Sequence, residues 1–312
     1  MLTTTKSLGT TILERIGNTP LVRLNLFQDR LSANIQILGK AEWANPGGSV
    51  KDRAASAIVT DARSRGLLTS TRGLLDATSG NTGIAYAMLG AALNFPVTLC
   101  MPSNVSPERK KYLSAYGAQV IWTNPADGSD GAIRKARELI AAEPDRFFYA
   151  DQYGNDENWR AHYRTTANEI WAQTEGQITH FVAGLGTSGT FMGTTRRLRE
   201  LNPNIRCISM QPDSPFNGLE GLKHMATAIV PRIYDATLAD ANIDMDTEVA
   251  YAMCRNLGRN HGILVGISAA AAVAASLQVA EQEAAAGREA IIVTILCDSA
   301  EKYMSERFWQ EE

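Results

Sequence analysis

Gly73-Leu-Leu-Asp-Ala-Thr-Ser-Gly-Asn-Thr-Gly-Ile-Ala-Tyr-Ala-Met-Leu-Gly-Ala-Ala-Leu93 holds, in one stretch, a short apolar strand, a turn of hydroxyls and glycines, and an apolar helix. The same unit recurs outward in both directions. Short β-rich runs fall at Ile35–Lys40, Gly73–Ala77, Val97–Met101, Gln119–Thr123, His180–Ala183, Arg206–Gln211 and Ala290–Leu296. Helical patterns separate them at Lys51–Arg65, Gly83–Leu93, Pro107–Tyr116, Asp130–Ala142, Trp159–Thr174, Thr190–Glu200, Thr247–Asn260, Ala269–Ala286 and Ser299–Phe308. Such alternation predicts an α/β protein with parallel sheets and crossover helices. The strands are short and β-branched, as strands covered on both faces are. No Ser/Gly-rich linker or internal repeat divides the chain, which suggests two lobes sharing a cleft rather than two tethered domains.

The 312 residues include 45% hydrophobic and 20% charged side chains, enough for a sizeable core. A net charge of -3 argues against a nucleic-acid or anionic-membrane partner. Cys100, Cys207, Cys254 and Cys297 lie far apart, and the four histidines form no HxxxH group, so no metal site is expected. The opening MLTTTKSLGTTILERIGNTPL lacks the apolar core of a secretory signal, and no run is long enough to span a bilayer. A cytoplasmic location is the expectation.

Four turns carry candidate chemistry. In Asn45-Pro-Gly-Gly-Ser-Val-Lys-Asp-Arg53 the glycines allow a tight approach to a helix starting near Ser49, which puts Lys51 in its first turn. The positive end of a helix dipole disfavours the charged form of an amine, which suits a nucleophile; a solvated surface lysine is the plainer alternative. Thr78-Ser-Gly-Asn-Thr-Gly83 offers N–H groups, hydroxyls and an amide to a carboxylate, or is merely a capped helix start. Gly184-Leu-Gly-Thr-Ser-Gly-Thr190 suits a phosphate held by N–H groups and by the hydroxyls of Thr187, Ser188 and Thr190. Its GxGxxG spacing also allows a dinucleotide fold, but the next strand ends in Gln211 where a ribose-binding acid belongs. Gly266-Ile-Ser-Ala269 puts Ser268 at a helix start, as an N-cap or facing a ring nitrogen.

Together these turns resemble the cysteine synthase family of fold-type II pyridoxal-phosphate enzymes, closest to its cysteine synthase B-like branch. Ile16-Gly-Asn-Thr-Pro-Leu21, Met101-Pro-Ser-Asn-Val-Ser-Pro-Glu-Arg109, Tyr116-Gly-Ala118, Asp151-Gln-Tyr-Gly-Asn155, Glu169-Ile-Trp171, Gly221-Leu222 and Asp298-Ser299 extend the likeness over about Leu13 to Tyr303. The resemblance implies a tryptophan synthase β-like fold: two lobes, each a twisted, mostly parallel sheet flanked by helices, with pyridoxal 5'-phosphate between them. Residues 1–45 and 150–312 would form the larger, phosphate-binding domain, and 46–149 the smaller, mobile, carboxylate-binding one.

It also implies roles for matching positions. Lys51 is the Schiff-base lysine and the base at the α-carbon, and Asn81 bonds the cofactor ring hydroxyl. Gly186, Thr187, Ser188, Gly189 and Thr190 hold the phosphate, and Ser268 faces the pyridine nitrogen. Thr78, Ser79, Asn81 and Thr82, with Gln152, bind the substrate carboxylate. The implied reaction replaces the leaving group of an O-activated L-serine by sulfur through an aminoacrylate, giving L-cysteine. O-acetylserine is the default donor; Lys223 in Gly221-Leu-Lys-His224 stands near the position where some relatives that use O-phosphoserine carry an arginine. Sulfide, thiosulfate or a sulfur-carrier protein could supply the sulfur, and a homodimer is implied. The alternatives are a cystathionine β-synthase-like condensation, a serine or threonine dehydratase, and a cofactor-bound interaction protein without activity. The chain departs from the family pattern at Ala269-Ala270, at Asn155-Asp-Glu-Asn-Trp159 and at Ala167-Asn168.

Overall fold

The computed structural model describes residues 9–25, 31 and 34–310; residues 1–8, the start of the opening segment that lacks a signal-like apolar core, lie outside the described residues. The elements run β1 (Leu21–Arg23), β2 (Ile35–Ala41), α1 (Lys51–Ser64), β3 (Gly73–Ala77), α2 (Asn81–Leu93), β4 (Val97–Pro102) and α3 (Pro107–Ala115). They continue with β5 (Gln119–Thr123), α4 (Gly128–Ala142), β6 (Phe147–Tyr149), α5 (Asp156–Arg164), α6 (Thr166–Gln173) and β7 (His180–Gly184). The last are α7 (Gly189–Leu201), β8 (Arg206–Pro212), β9 (Ala241–Met245), α8 (Thr247–His261), α9 (Ile267–Ala285) and β10 (Ala290–Leu296).

Two sheets result, in the orders β1-β2-β10-β7-β8-β9 and β5-β4-β3-β6. Among the described residues the strands within these sheets pair in parallel, except β1 with β2. Strands β3 and β4 are buried at every residue, which parallel strands covered by helices on both faces require. Helix α2 is apolar nearly all round and buried from Thr82 to Gly90, so it fills the core beside the four-stranded sheet. The alanines of α9 let that helix lie close against the larger sheet, in a core shared with β2, β8 and α8. The backbone then brings distant segments together at the carboxyl end of β10. Val50 N–H donates to the Cys297 carbonyl at 2.9 Å, and Gly266 N–H to that of Asp298 at 3.1 Å. The starts of α1 and α9 therefore meet there.

Three features differ from the sequence-based expectation. Trp159–Thr174 is two helices, α5 and α6, because the chain breaks at Thr165, whose φ of -118° lies far from the regular helical value near -63°. Its hydroxyl folds back onto the Ala161 carbonyl (2.7 Å), and Asn168 Nδ2 caps the carbonyls of Tyr163 and Arg164. Ser299–Phe308 is not an α-helix but two 3-10 turns, Ala300–Tyr303 and Arg307–Trp309. Lys302 holds the first in place, being buried with Nζ donating to the carbonyls of Gly47 and Gly48. Short strands β1, β6 and β9 add to those expected.

Candidate active site

One cleft is lined by Lys51, Thr78–Thr82, Gln152, Gly186, Thr187, Thr190, Lys223 and Ser268, drawn from both sheets. The expected site residues converge there, with two exceptions: Ser188 and Gly189 lie just behind the lining and are buried.

Lys51 opens α1, and its amine has no hydrogen bond or ion pair among the described residues. Two residues on, Arg53 fixes that helix. Its buried guanidinium grips Glu42 (2.7 and 2.8 Å) and Glu169 (2.6 and 2.8 Å) in two forked pairs, and Lys40 reaches Glu169 at 2.7 Å. Burial alone would raise the Glu169 carboxyl; Arg53 and Lys40 instead hold it down to about 2. A lysine at the head of so constrained a helix can move little except at its own side chain.

The 78–83 turn is organised by Thr78, whose Oγ1 accepts from the N–H groups of Gly80 (3.1 Å) and Gly83 (3.2 Å). Thr82 donates to Gln152 Oε1 (2.7 Å), and Gln152 Nε2 donates to the Ala77 carbonyl (2.6 Å). Asn81 Nδ2 donates to Asp298 (2.7 Å), leaving its buried Oδ1 without a hydrogen-bond partner among the described residues. Beneath the turn lies Asp76. Burial pushes its carboxyl up to about 8, although the N–H groups of Ala77 and Gln152 favour the ionised form.

The 184–190 turn leads into α7 with Ser188 left-handed (φ 68°), so the first N–H groups of the helix are presented at the cleft. A Cβ on Gly186 would collide with the Gly221 carbonyl, and one on Gly189 with the Asn158 side chain. Asn158 Nδ2 also donates to the Gln152 carbonyl (2.6 Å) and to Thr187 Oγ1 (3.0 Å), tying the two turns together. His162 meets Thr190 at 3.2 Å and Thr166 at 2.9 Å; burial holds the imidazole well below its usual range, hence neutral. Ser188 Oγ is buried without a hydrogen-bond partner among the described residues. An orphaned hydroxyl at a helix N-terminus, closely backed by backbone, fits a phosphate monoester.

Ser268 does not cap α9, whose N-cap is Gly266; it lies inside the first turn and lines the cleft. Cys297 lies beside Lys51, and burial pushes its thiol up to about 11 although the Lys51 charge opposes this. Lys223 is not solvated. It is buried, 2.7 Å from Asp130 Oδ1 and over the Tyr153 ring. Arg109, Glu220 and Tyr303 also line the cleft, and Asp298 supports Asn81; none was assigned a role from sequence. Arg109 and Asp298 fall within the stretches that carry the family likeness, but no spacing links them, because only the fold brings them together.

Residues 12–298 match the family described as pyridoxal-phosphate dependent enzyme. With two largely parallel sheets and a lysine, a phosphate-type turn and a carboxylate-type turn on one cleft, the molecule is a fold-type II pyridoxal-phosphate enzyme. A cysteine synthase of Aquifex aeolicus is 49% identical over 97% of this chain and 93% of its own. Cysteine synthase B of Pseudomonas aeruginosa is 40% identical over 95% and 96%. The crystal structure of O-acetylserine sulfhydrylase isoform 3 from Entamoeba histolytica superposes with a TM-score of 0.90, at 34% identity, covering 100% of this chain and 95% of that one. The chain belongs to the cysteine synthase family of pyridoxal-phosphate-dependent enzymes. Among the described residues no helix is long and apolar enough to cross a membrane.

Proposed function

We propose that this protein is a cysteine synthase that replaces the acetyl-bearing oxygen of O-acetyl-L-serine by sulfur to give L-cysteine. The observation that carries this reading is the convergence of the Lys51 amine, the 78–82 turn with Gln152, and the 184–190 turn on one cleft. The orphaned Ser188 hydroxyl and the buried Asn81 oxygen suit the phosphate and ring hydroxyl of the cofactor. When bound, pyridoxal phosphate supplies the electron sink that lets the α-proton leave and the β-substituent depart.

Around that chemistry each side chain has its task. Lys51 takes the α-proton and returns it to the product. Ser79, Asn81 and Thr82 hold the α-carboxylate through N–H and hydroxyl groups, and Thr78 sets the shape of their turn. Gln152, locked by Thr82 and the Ala77 carbonyl, backs the same site. Ser268 offers the ring nitrogen a neutral hydroxyl, which favours elimination over a long-lived carbanion. The Lys223 charge is already matched by Asp130, which favours O-acetylserine over O-phosphoserine. Residues 46–149 serve as the lobe that closes over the substrate. A homodimer and a cytoplasmic location complete the proposal.

Reconstitution with pyridoxal phosphate, then turnover of O-acetylserine and O-phosphoserine with sulfide, tests it. A visible absorption band that Lys51→Ala abolishes is expected, together with cysteine formation that the variant loses by about a thousandfold. No visible band after reconstitution would overturn the cofactor reading, and a clear preference of the wild type for O-phosphoserine would overturn the choice of donor.

A further inference from the structure

Arg109, on α3, reaches between the two walls of the cleft. Its side chain is 4% exposed, and its Nη1 meets both the Ser79 carbonyl (3.5 Å) and a carboxylate oxygen of Glu220. Glu220 belongs to the connection between β8 and β9, on the other sheet, and is 35% exposed at the rim. The guanidinium also lies 4.8 Å over the Tyr303 ring. Tyr303 donates to Asp298 Oδ2 (2.8 Å), the atom that also accepts from Asn81 (2.7 Å). The Ser79–Asn81 turn is thus held at both ends by one connected group, at its first carbonyl by Arg109 and at its last side chain by Asp298. Between those ends, a Cβ on Gly80 would stand 2.9 Å from Arg109 Nε, so the guanidinium lies against the turn itself.

We propose that Arg109 is a positioning residue for substrate binding: it holds the Ser79–Asn81 turn in the shape that accepts an α-carboxylate, with Glu220 as its anchor on the opposite wall. The proposal rests on the cysteine synthase reading for the identity of the substrate and on the geometry above for the rest. Arg109 acts through the turn and does not touch the reacting atoms. A charge-assisted contact to a carbonyl fixes the peptide, and so the direction of the N–H groups that follow it. The rim pair also ties that peptide to the larger sheet, so ordering the turn and bringing the walls together are one event. Were Glu220 only a counter-charge, it would weaken the attraction of Arg109 for an incoming anion, and its loss would tighten substrate binding. As an anchor, its loss loosens binding. The two roles have opposite signs.

Reconstituted wild type, Arg109→Gln, Arg109→Lys and Glu220→Gln are compared for KM and kcat with O-acetylserine. In parallel, hydrogen exchange of the amides at residues 79–83 is followed on the cofactor-free proteins. Arg109→Gln should raise KM at least about tenfold with kcat within about twofold, and should speed exchange at 79–83 but not in α7. Arg109→Lys should recover part of the loss, and Glu220→Gln should raise KM severalfold. An unchanged KM and exchange in Arg109→Gln would overturn the proposal, as would a KM that falls or stays constant in Glu220→Gln. Should Arg109→Gln fail to fold, Glu220→Gln at the half-buried rim decides by the same criteria. Wild type that does not turn over O-acetylserine would sink the functional reading, and the exchange data would still judge Arg109.

Discussion

The 184–190 and 78–83 turns are both strand-to-helix junctions rich in glycine and hydroxyl groups, yet they are supported in different ways. Behind the first stand rigid neighbours, the Gly221 carbonyl against Gly186 and a buried, doubly bonded Asn158 against Gly189. Behind the second stand ends of side chains: Arg109 against Gly80, and the Thr78 methyl and Leu99 against Gly83. A turn backed by backbone and by a side chain that is itself bonded twice has one shape. A turn backed by the ends of freer side chains has a shape that its neighbours set and can change. The first suits an anion that stays through many turnovers, the second an anion that arrives and leaves each time.

The largest effect should come from attacking the rigid turn. Gly186→Ala forces a methyl into the Gly221 carbonyl, and should cost about 3 kcal/mol in urea unfolding of the cofactor-free protein. Cofactor affinity should fall with it by about a hundredfold, read by titration of the visible band. A variant that keeps both would show that this turn yields as well.

Asp76 tests the second turn from below. Folded, it binds its proton more tightly than when unfolded, so the stability it contributes is complete below the ordinary carboxylate range. That stability is lost as pH rises to about 8, where the folded protein gives up the proton. Asp76→Asn carries no such dependence. Between about pH 6 and about pH 8 the difference in unfolding free energy should move in the variant's favour by about 2 kcal/mol, then level off. A constant difference over that range would place the charge of Asp76 elsewhere in the balance. Gly80→Ala should do least, since the Arg109 side chain can shift: stability within about 1 kcal/mol, and a KM for O-acetylserine raised by roughly fivefold. A stability loss matching that of Gly186→Ala would erase the contrast between the turns.

Much of this architecture is legible in the sequence because it is local. Gly73–Ala77, Gln119–Thr123 and Ala290–Leu296 are strands at the residues their apolar runs mark, and α1 starts at Lys51 as the glycines before it require. Strands β1 and β6 are three residues long, and β9 is an edge strand with mostly exposed or half-buried residues, so neither length nor periodicity marks them. The break at Thr165 has no proline or glycine to announce it, being made by hydrogen bonds of Thr165 and Asn168 that compete with the helix. The four turns were visible as chemistry. What holds them was not: Asn158 with Thr187, Arg109 with Glu220, and Asn81 with Asp298 are pairs that only the tertiary fold creates.

Cys297 shows what this enclosure means for selectivity among sulfur atoms. A pocket proposed to receive a sulfur nucleophile holds a thiol of its own next to Lys51. Burial pushes that thiol up to about 11, so it is held largely in its protonated, weakly nucleophilic form at neutral pH. The resident sulfur is therefore kept inert by the same apolar packing that shapes the cleft. An incoming donor that is already ionised meets no rival, and the protein can make thiols without alkylating its own.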